Sequence, residues 1–196
     1  MPEQPDKGRR CMLVAASTVA GGVAAVASGV PFVASMLPSE RARAAGAPVE
    51  VDISKLAPGE RMTVEWQGKP VWIVRRTPEM LDTVKKNADK VADPESKKAM
   101  QPKYATNELR SIKPEYLVLV GICTHLGCSP VEKFQAQAEA FAADWKGGFY
   151  CPCHGSLFDL AGRVYKNKPA PDNLLVPKHK YLADGKILIG EDEKGA

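Results

Sequence analysis

Two short boxes, CTHLGC at 123–128 and CPCH at 151–154, constrain this chain more than anything else in it. They hold four of its five cysteines and two of its three histidines. Its 196 residues, 44% hydrophobic and 26% charged, have room for one ordinary core plus an appendage. Nothing in that composition calls for thiols and imidazoles to cluster. Donors collected this way meet in space around one centre, so the fold must bring two loops together.

Written out, the donors are C-x-H-x-x-C and C-x-C-H. A structural zinc ion takes four such ligands. It could use any four of the six, but the usual C-x₂-C spacing is absent and two cysteines would be left over. A dithiol or disulfide framework explains the cysteines but not two histidines in register with them. A [2Fe–2S] centre with mixed ligands, two thiolates on one iron and two imidazoles on the other, asks each box for one Cys and one His. Cys123 with His125, and Cys151 with His154, meet that demand.

From Cys11 to Ser39 no charged residue occurs. At about 1.5 Å per residue, such a run crosses a hydrocarbon layer of about 30 Å. A buried helix of a soluble domain and a cleaved signal peptide are the alternatives, but the run is longer than a usual signal core. We read residues 1–10 as a cytoplasmic N-terminus, 11–37 as a retained transmembrane anchor and 38–48 as a flexible neck of Ala, Gly, Pro and charge. The head then covers 49–196. Arg9–Arg10 ahead of the weakly apolar run resembles a twin-arginine export signal. Cys11 reads as a small apolar residue with no partner. The net charge of +4 is scattered, with no stripe for nucleic acid.

Within the head, RMTVEWQG and PVWIVRR read as strands joined by a turn at Gly68–Lys69. TPEMLDTVKKNADK starts as a helix: Thr77 caps it, Pro78 suits its first position and Glu79 complements the dipole. Its tail, VKKNADK, reads as a solvated face. Residues 90–113 are polar and Pro-punctuated, hence loop. EYLVLVGI, at 115–122, predicts a buried strand that ends at the first box. VEKFQAQAEAFAADW, with Phe134, Ala138 and Phe141 at helical spacing, predicts a short helix. GGFY enters the second box as a strand. GRVYKN, KYLAD and KILIGE close the head as short strands, the last two joined by a turn at Asp184–Gly185. His179, between Lys178 and Lys180, reads as a solvated surface histidine.

The two boxes resemble the Rieske iron–sulfur family. The form with an extra cysteine in each box is similar to the subunits of quinol–cytochrome c reductases, the cytochrome bc complexes. The likeness extends to the anchor, the neck and KPAPDNLLVP at 168–177, which looks like the family's Pro-rich loop over the centre. It implies a mainly β head of stacked antiparallel sheets with a small cluster-binding subdomain near 118–178, one or two short helices, and one N-terminal transmembrane helix. It implies one [2Fe–2S] cluster, with Cys123 and Cys151 on the buried iron and His125 and His154 on the outer, electron-accepting iron. It implies a disulfide between Cys128 and Cys153. Ser156 is then placed to donate to a cluster sulfur, and Gly127 and Gly155 to permit tight turns. Leu126 stands near the quinol-docking tip, and Pro169 and Pro171 lie in the covering loop. Many respiratory members carry Tyr where this chain has Phe158, which cannot donate a hydrogen bond.

The implied partners are ubiquinol, cytochrome b and cytochrome c subunits and membrane lipid, in a dimeric complex. The implied location is a bacterial inner membrane with the head in the periplasm. A disulfide persists outside the reducing cytosol, and a head folded around its cluster before export suits the twin-arginine route. The alternatives are the small Rieske subunit of a periplasmic molybdenum oxidase of the arsenite oxidase type and, outside redox chemistry, a zinc-stabilised binding module.

Overall fold

A computed structural model describes residues 6–182 and 185–193. The chain divides into two units, Met1–Ala44 and Ala45–Ala196.

The first unit is built on helix α1 (Lys7–Ala34). It starts four residues before the expected anchor because Asp6 caps it, accepting the Gly8 N–H at 2.9 Å. None of its residues is buried, and it is long and apolar enough to cross a membrane. The hydroxyls of Ser17, Thr18 and Ser28 donate to the carbonyls four residues back, at 2.8–2.9 Å. The helix thereby satisfies its own polar groups, as a lipid environment demands. The expected flexible neck is not wholly irregular, for it contains α2 (Glu40–Ala45). The Ser39 hydroxyl caps this turn through the Ala42 N–H, and Glu40 pairs with Arg43 at 3.3 Å.

Among its described residues the second unit has three three-stranded antiparallel sheets. In chain order the strands are β1 (Val49–Asp52), β2 (Arg61–Trp66), β3 (Lys69–Arg75), β4 (Tyr116–Val120), β5 (Val131–Lys133), β6 (Gly148–Cys151), β7 (Ser156–Phe158), β8 (His179–Tyr181) and β9 (Lys186–Ile189). The sheets run β1-β9-β8, β2-β3-β4 and β5-β6-β7. The helix α3 (Pro78–Lys86) follows β3, capped by Thr77 as expected.

The middle sheet separates two cores, which explains the unbroken apolar runs in β3 and β4. Trp72, Val74, Leu117 and Leu119 face one core, together with Cys123, Phe149, Cys151 and Phe158. The alternate residues Val71, Ile73, Val118 and Val120 face the other, with Val51, Ile187 and Ile189. A strand buried on both faces has no reason to alternate polar and apolar residues. At the end of β4 the chain passes so close to the Trp72 indole that a Cβ on Gly121 would lie 2.2 Å from it.

Several expectations are corrected. The β2–β3 turn is Gln67–Gly68, one residue earlier than expected, with φ of 53° and 69°. A two-residue hairpin loop of this hand needs positive φ at both positions. The segment 131–145 is not a helix. After β5 it runs through turns closed by a Glu139–Ala142 bridge. Phe134 packs edge-on to Phe149 at 5.5 Å, and Phe141 stacks on Tyr150 at 4.2 Å. Phe149 and Tyr150 are successive strand residues and point to opposite faces. One helical stripe could not reach both. GRVYKN forms no strand but two isolated bridges, Phe158–Val164 and Val91–Tyr165. In VKKNADK, Val84 and Asn87 are buried, and only part of the stretch is a solvated face. The expected turn at Asp184–Gly185 falls partly outside the described residues.

His179 is not a surface histidine. It is 1% exposed, with Nδ1 2.8 Å from the Pro177 carbonyl and its ring edge-on to Tyr104 at 5.6 Å. Strand alternation turns it inward while Lys178 and Lys180 reach the acidic residues Asp192 and Glu191. Burial pushes its pKa below the ordinary histidine value. The unfolded chain therefore binds this proton more readily than the fold does, and stability drops as pH falls below about 6.5 towards the depressed value. Urea unfolding of the detergent-solubilised chain should show a loss between pH 7.5 and 5 that is smaller in His179→Phe. An equal loss in both proteins would place the titration elsewhere.

Candidate iron–sulfur site

The two boxes occupy equivalent turns. The first follows β4, and the second is the hairpin between β6 and β7, where Cys151 pairs with Ser156. In each, the carbonyl of the leading cysteine accepts an N–H from the glycine four residues on: Gly127 to Cys123 at 3.1 Å, Gly155 to Cys151 at 2.9 Å. These glycines have φ of 84° and 76°, the left-handed region. A Cβ on either would meet nothing within 4 Å, so the need for glycine there is conformational. The Cys123 N–H donates to the Cys128 carbonyl at 2.7 Å, closing the first loop.

A disulfide between Cys128 and Cys153 joins the loops. Cys123 and Cys151 are free thiols, 3% and 2% exposed. Burial pushes the Cys151 thiol up, and the neighbouring Cys123 thiol adds to this. The sulfurs of Cys128, Cys151 and Cys153 lie within 4.8 Å of one another. Two of these are already bonded together, so the trio places Cys151 against the disulfide rather than forming a ligand set. His125 and His154 face each other edge-on, with centroids 4.8 Å apart. Cys11, the remaining free thiol, lies exposed on α1.

The His125 Nδ1 is buried without a hydrogen-bond partner. An imidazole nitrogen in that position is costly unless something binds it. Two buried free thiols, two apposed imidazoles and this orphaned nitrogen fit the donor set of a mixed-ligand [2Fe–2S] group. A zinc ion held by four sulfurs is not provided for, because two of the four are in the disulfide.

A third loop ties to both boxes. The Ala170 N–H, between Pro169 and Pro171, donates to the Ser156 hydroxyl at 3.0 Å. The Thr124 hydroxyl donates to the Asp172 carbonyl at 2.7 Å. Lys98 binds the Pro171 carbonyl and the Asp172 carboxylate at 2.9 and 2.6 Å. Ser156 is fully buried; accepting from Ala170 leaves its own proton to donate. Phe158 is fully buried and, opposite Phe149, supplies no donor. Leu126 is 70% exposed beside His125, while Pro152 and His154 are exposed in the second box. Thr124 and Lys98 escaped the sequence reading. The threonine inside CTH was the one available signal, whereas a lysine in a polar loop gives none.

The Rieske [2Fe-2S] domain profile matches residues 48–180. The ubiquinol-cytochrome c reductase iron-sulfur subunit of Allochromatium vinosum is 61% identical over 191 residues, 97% of this chain and 92% of that protein. The protein of the same name from Bradyrhizobium diazoefficiens is 39% identical, over 93% of this chain and 94% of its own length. The mitochondrial cytochrome b-c1 complex subunit Rieske of Neurospora crassa is 41% identical over 145 residues, 74% of this chain and 54% of that protein.

The loop glycines differ in what they require. Gly127→Ala should lower the unfolding free energy by about 1–2 kcal/mol, the cost of a left-handed alanine. Gly121→Ala should cost more, since its Cβ meets a Trp72 ring held by stacking on Phe149 at 5.1 Å. Equal losses in urea unfolding would contradict this division.

Proposed function

This chain belongs to the Rieske [2Fe-2S] family, and we propose that it is the iron–sulfur subunit that carries electrons from ubiquinol to a c-type cytochrome in a ubiquinol–cytochrome c reductase. The observation that carries the reading is the pair of equivalent loops, each offering one free cysteine and one histidine, with the remaining cysteines joined to each other. Full-length similarity to two bacterial subunits of that complex favours it over a molybdenum oxidase subunit.

In this reading Cys123 and Cys151 would hold one iron of the group through their thiolates, and His125 and His154 would hold the other through their imidazoles. When bound, the group supplies a one-electron acceptor with a potential within about −150 to +300 mV, raised because imidazole ligands bring no negative charge. The chain's own residues do the rest. His125, bound through the orphaned Nδ1, keeps its Nε2 to accept a quinol hydroxyl and then its proton. His154 offers the same at the exposed second box. Leu126 gives the quinol ring an apolar neighbour. The Ser156 proton is available to a sulfur of the group, where it favours the reduced, more negative state. The Pro169–Pro171 loop, tied to both boxes, keeps water from the interior side.

The anchor α1 makes the chain a single-pass membrane subunit. We place its N-terminus in the cytoplasm and the head in the periplasm, where the disulfide persists. Cytochrome b and c subunits are its partners, in a dimeric complex embedded in lipid. The segment between anchor and head lets the head move between them; α2, six residues with exposed side chains, does not stiffen it greatly.

The purified chain should carry about two irons, and reduction should bring up an electron paramagnetic resonance signal that the oxidised protein lacks. A colourless, zinc-loaded protein would overturn the reading. Phe158→Tyr should raise the midpoint potential by about 40 mV, the worth of one hydrogen bond of about 1 kcal/mol. An unchanged or lower potential in voltammetry would remove Phe158 as a determinant.

A further inference from the structure

Three arginines are buried in the head, Arg76 (3% exposed), Arg110 (0%) and Arg163 (0%). Among the described residues one carboxylate is buried with them, Asp159 (0%). It is taken by Arg163, whose Nε and Nη2 lie 2.8 and 2.7 Å from Oδ2. Among the described residues, Arg76 and Arg110 have no carboxylate in hydrogen-bond contact. Arg76 donates to the carbonyls of Leu109, Pro114 and Leu160 and to the Ser111 hydroxyl. Arg110 donates to the carbonyls of Met100, Ala161, Gly162 and Leu174 and to the Gln101 amide oxygen.

Two of the three buried positive charges therefore have only dipoles in hydrogen-bond contact. Asp159 attracts both across space while bonded to Arg163, and Asp93 attracts Arg110 from a half-buried position, its oxygens engaged by the N–H groups of Lys97 and Lys98. Burial pushes both guanidiniums down to about 10, which leaves them charged at neutral pH. Three buried cations that share one buried carboxylate are expensive to fold, so the imbalance asks for a reason.

Their position supplies one. All three arginines clasp the stretch Asp159–Arg163, which follows β7 directly. Asp159 stands three residues past Ser156, within about 10 Å along an extended chain. Leu160, Ala161 and Leu174, whose carbonyls the arginines bind, lie in the same core as Cys123 and Cys151. Arg110 also holds Leu174, four residues along the chain from the Ala170 N–H that binds Ser156.

We infer that Arg76 and Arg110 are electrostatic tuning residues, whose buried charge, which the one buried carboxylate does not balance, favours the electron-loaded state of the neighbouring site. This rests on the reading of the chain as a one-electron carrier. Accepting an electron makes the site more negative by one charge. Inside the head, fixed positive charge is poorly screened and attracts that charge, whereas Asp159 opposes it. A unit charge about 12 Å away, at an effective dielectric of about 20, changes the reduction equilibrium about tenfold.

The test is a sign test on the midpoint potential of the intact, cluster-loaded chain by voltammetry, with thermal unfolding measured in parallel. Arg76→Met and Arg110→Met should each make reduction about tenfold less favourable, a fall of about 59 mV for a one-electron couple. Asp159→Asn, nearly isosteric, should move the potential upward by a similar factor. Arg76→Lys, which keeps the charge, should stay near the parent value. If Arg110→Met does not fold, the opposed shifts of Arg76→Met and Asp159→Asn decide the matter. Potentials that stay fixed while stability falls, or that shift the same way whichever sign of charge is removed, would overturn the inference and leave the arginines as struts. A parent chain that binds no redox-active iron would instead overturn the functional reading on which it stands.

Discussion

Cys128 and Cys153 join the two donor loops. The first loop leaves β4, in the middle sheet, and leads into β5, which shares a sheet with β6 and β7, whose turn is the second loop. Neither loop alone presents more than one free thiol and one imidazole. The bond holds them face to face, so that Cys123 and Cys151 are buried together and His125 meets His154. Cross-linking two chain segments also restricts the unfolded ensemble, by about 3 kcal/mol for a loop of this order. The same bond thus stabilises the head and assembles its donors.

Around that joint the structure is arranged to keep the site dry on one side and open on the other. Trp72, Phe149, Phe158 and Leu119 fill the core beneath the thiols. The Pro169–Pro171 loop is fastened through Ser156, Thr124 and Lys98. Leu126 and His154 remain exposed. Such asymmetry suits a group that must exchange a proton and an electron at one edge while the protein fixes its surroundings elsewhere.

The site was more legible in the sequence than the fold around it. Box spacing picks out Cys123, His125, Cys151 and His154 as candidate donors because metal–ligand chemistry is local and selective; the structure leaves the two thiols free and buried and sets the two imidazoles against each other, and Gly127 and Gly155 make the turns the boxes need. The long apolar N-terminal helix, the Thr77 cap and the apolar β4 were readable for similar reasons, since apolar length, capping and burial each leave a plain mark. What failed depended on tertiary contacts. The helical spacing of Phe134, Ala138 and Phe141 was overridden by two aromatic partners on opposite faces of β6. His179 looked solvated between two lysines because a three-residue strand is too short to reveal its alternation. The burial of the arginines at 76, 110 and 163 leaves no mark in the sequence; only the structure shows that backbone carbonyls converge on them.

The central claim is that one free cysteine and one histidine from each loop hold a single redox centre. Pulsed electron paramagnetic resonance on the reduced chain, prepared with ¹⁵N-labelled histidine, tests it most directly. The account predicts strong coupling to two histidine nitrogens, with one lost in a His125 variant that still carries iron. A signal with no histidine coupling, or one unchanged in that variant, would contradict it.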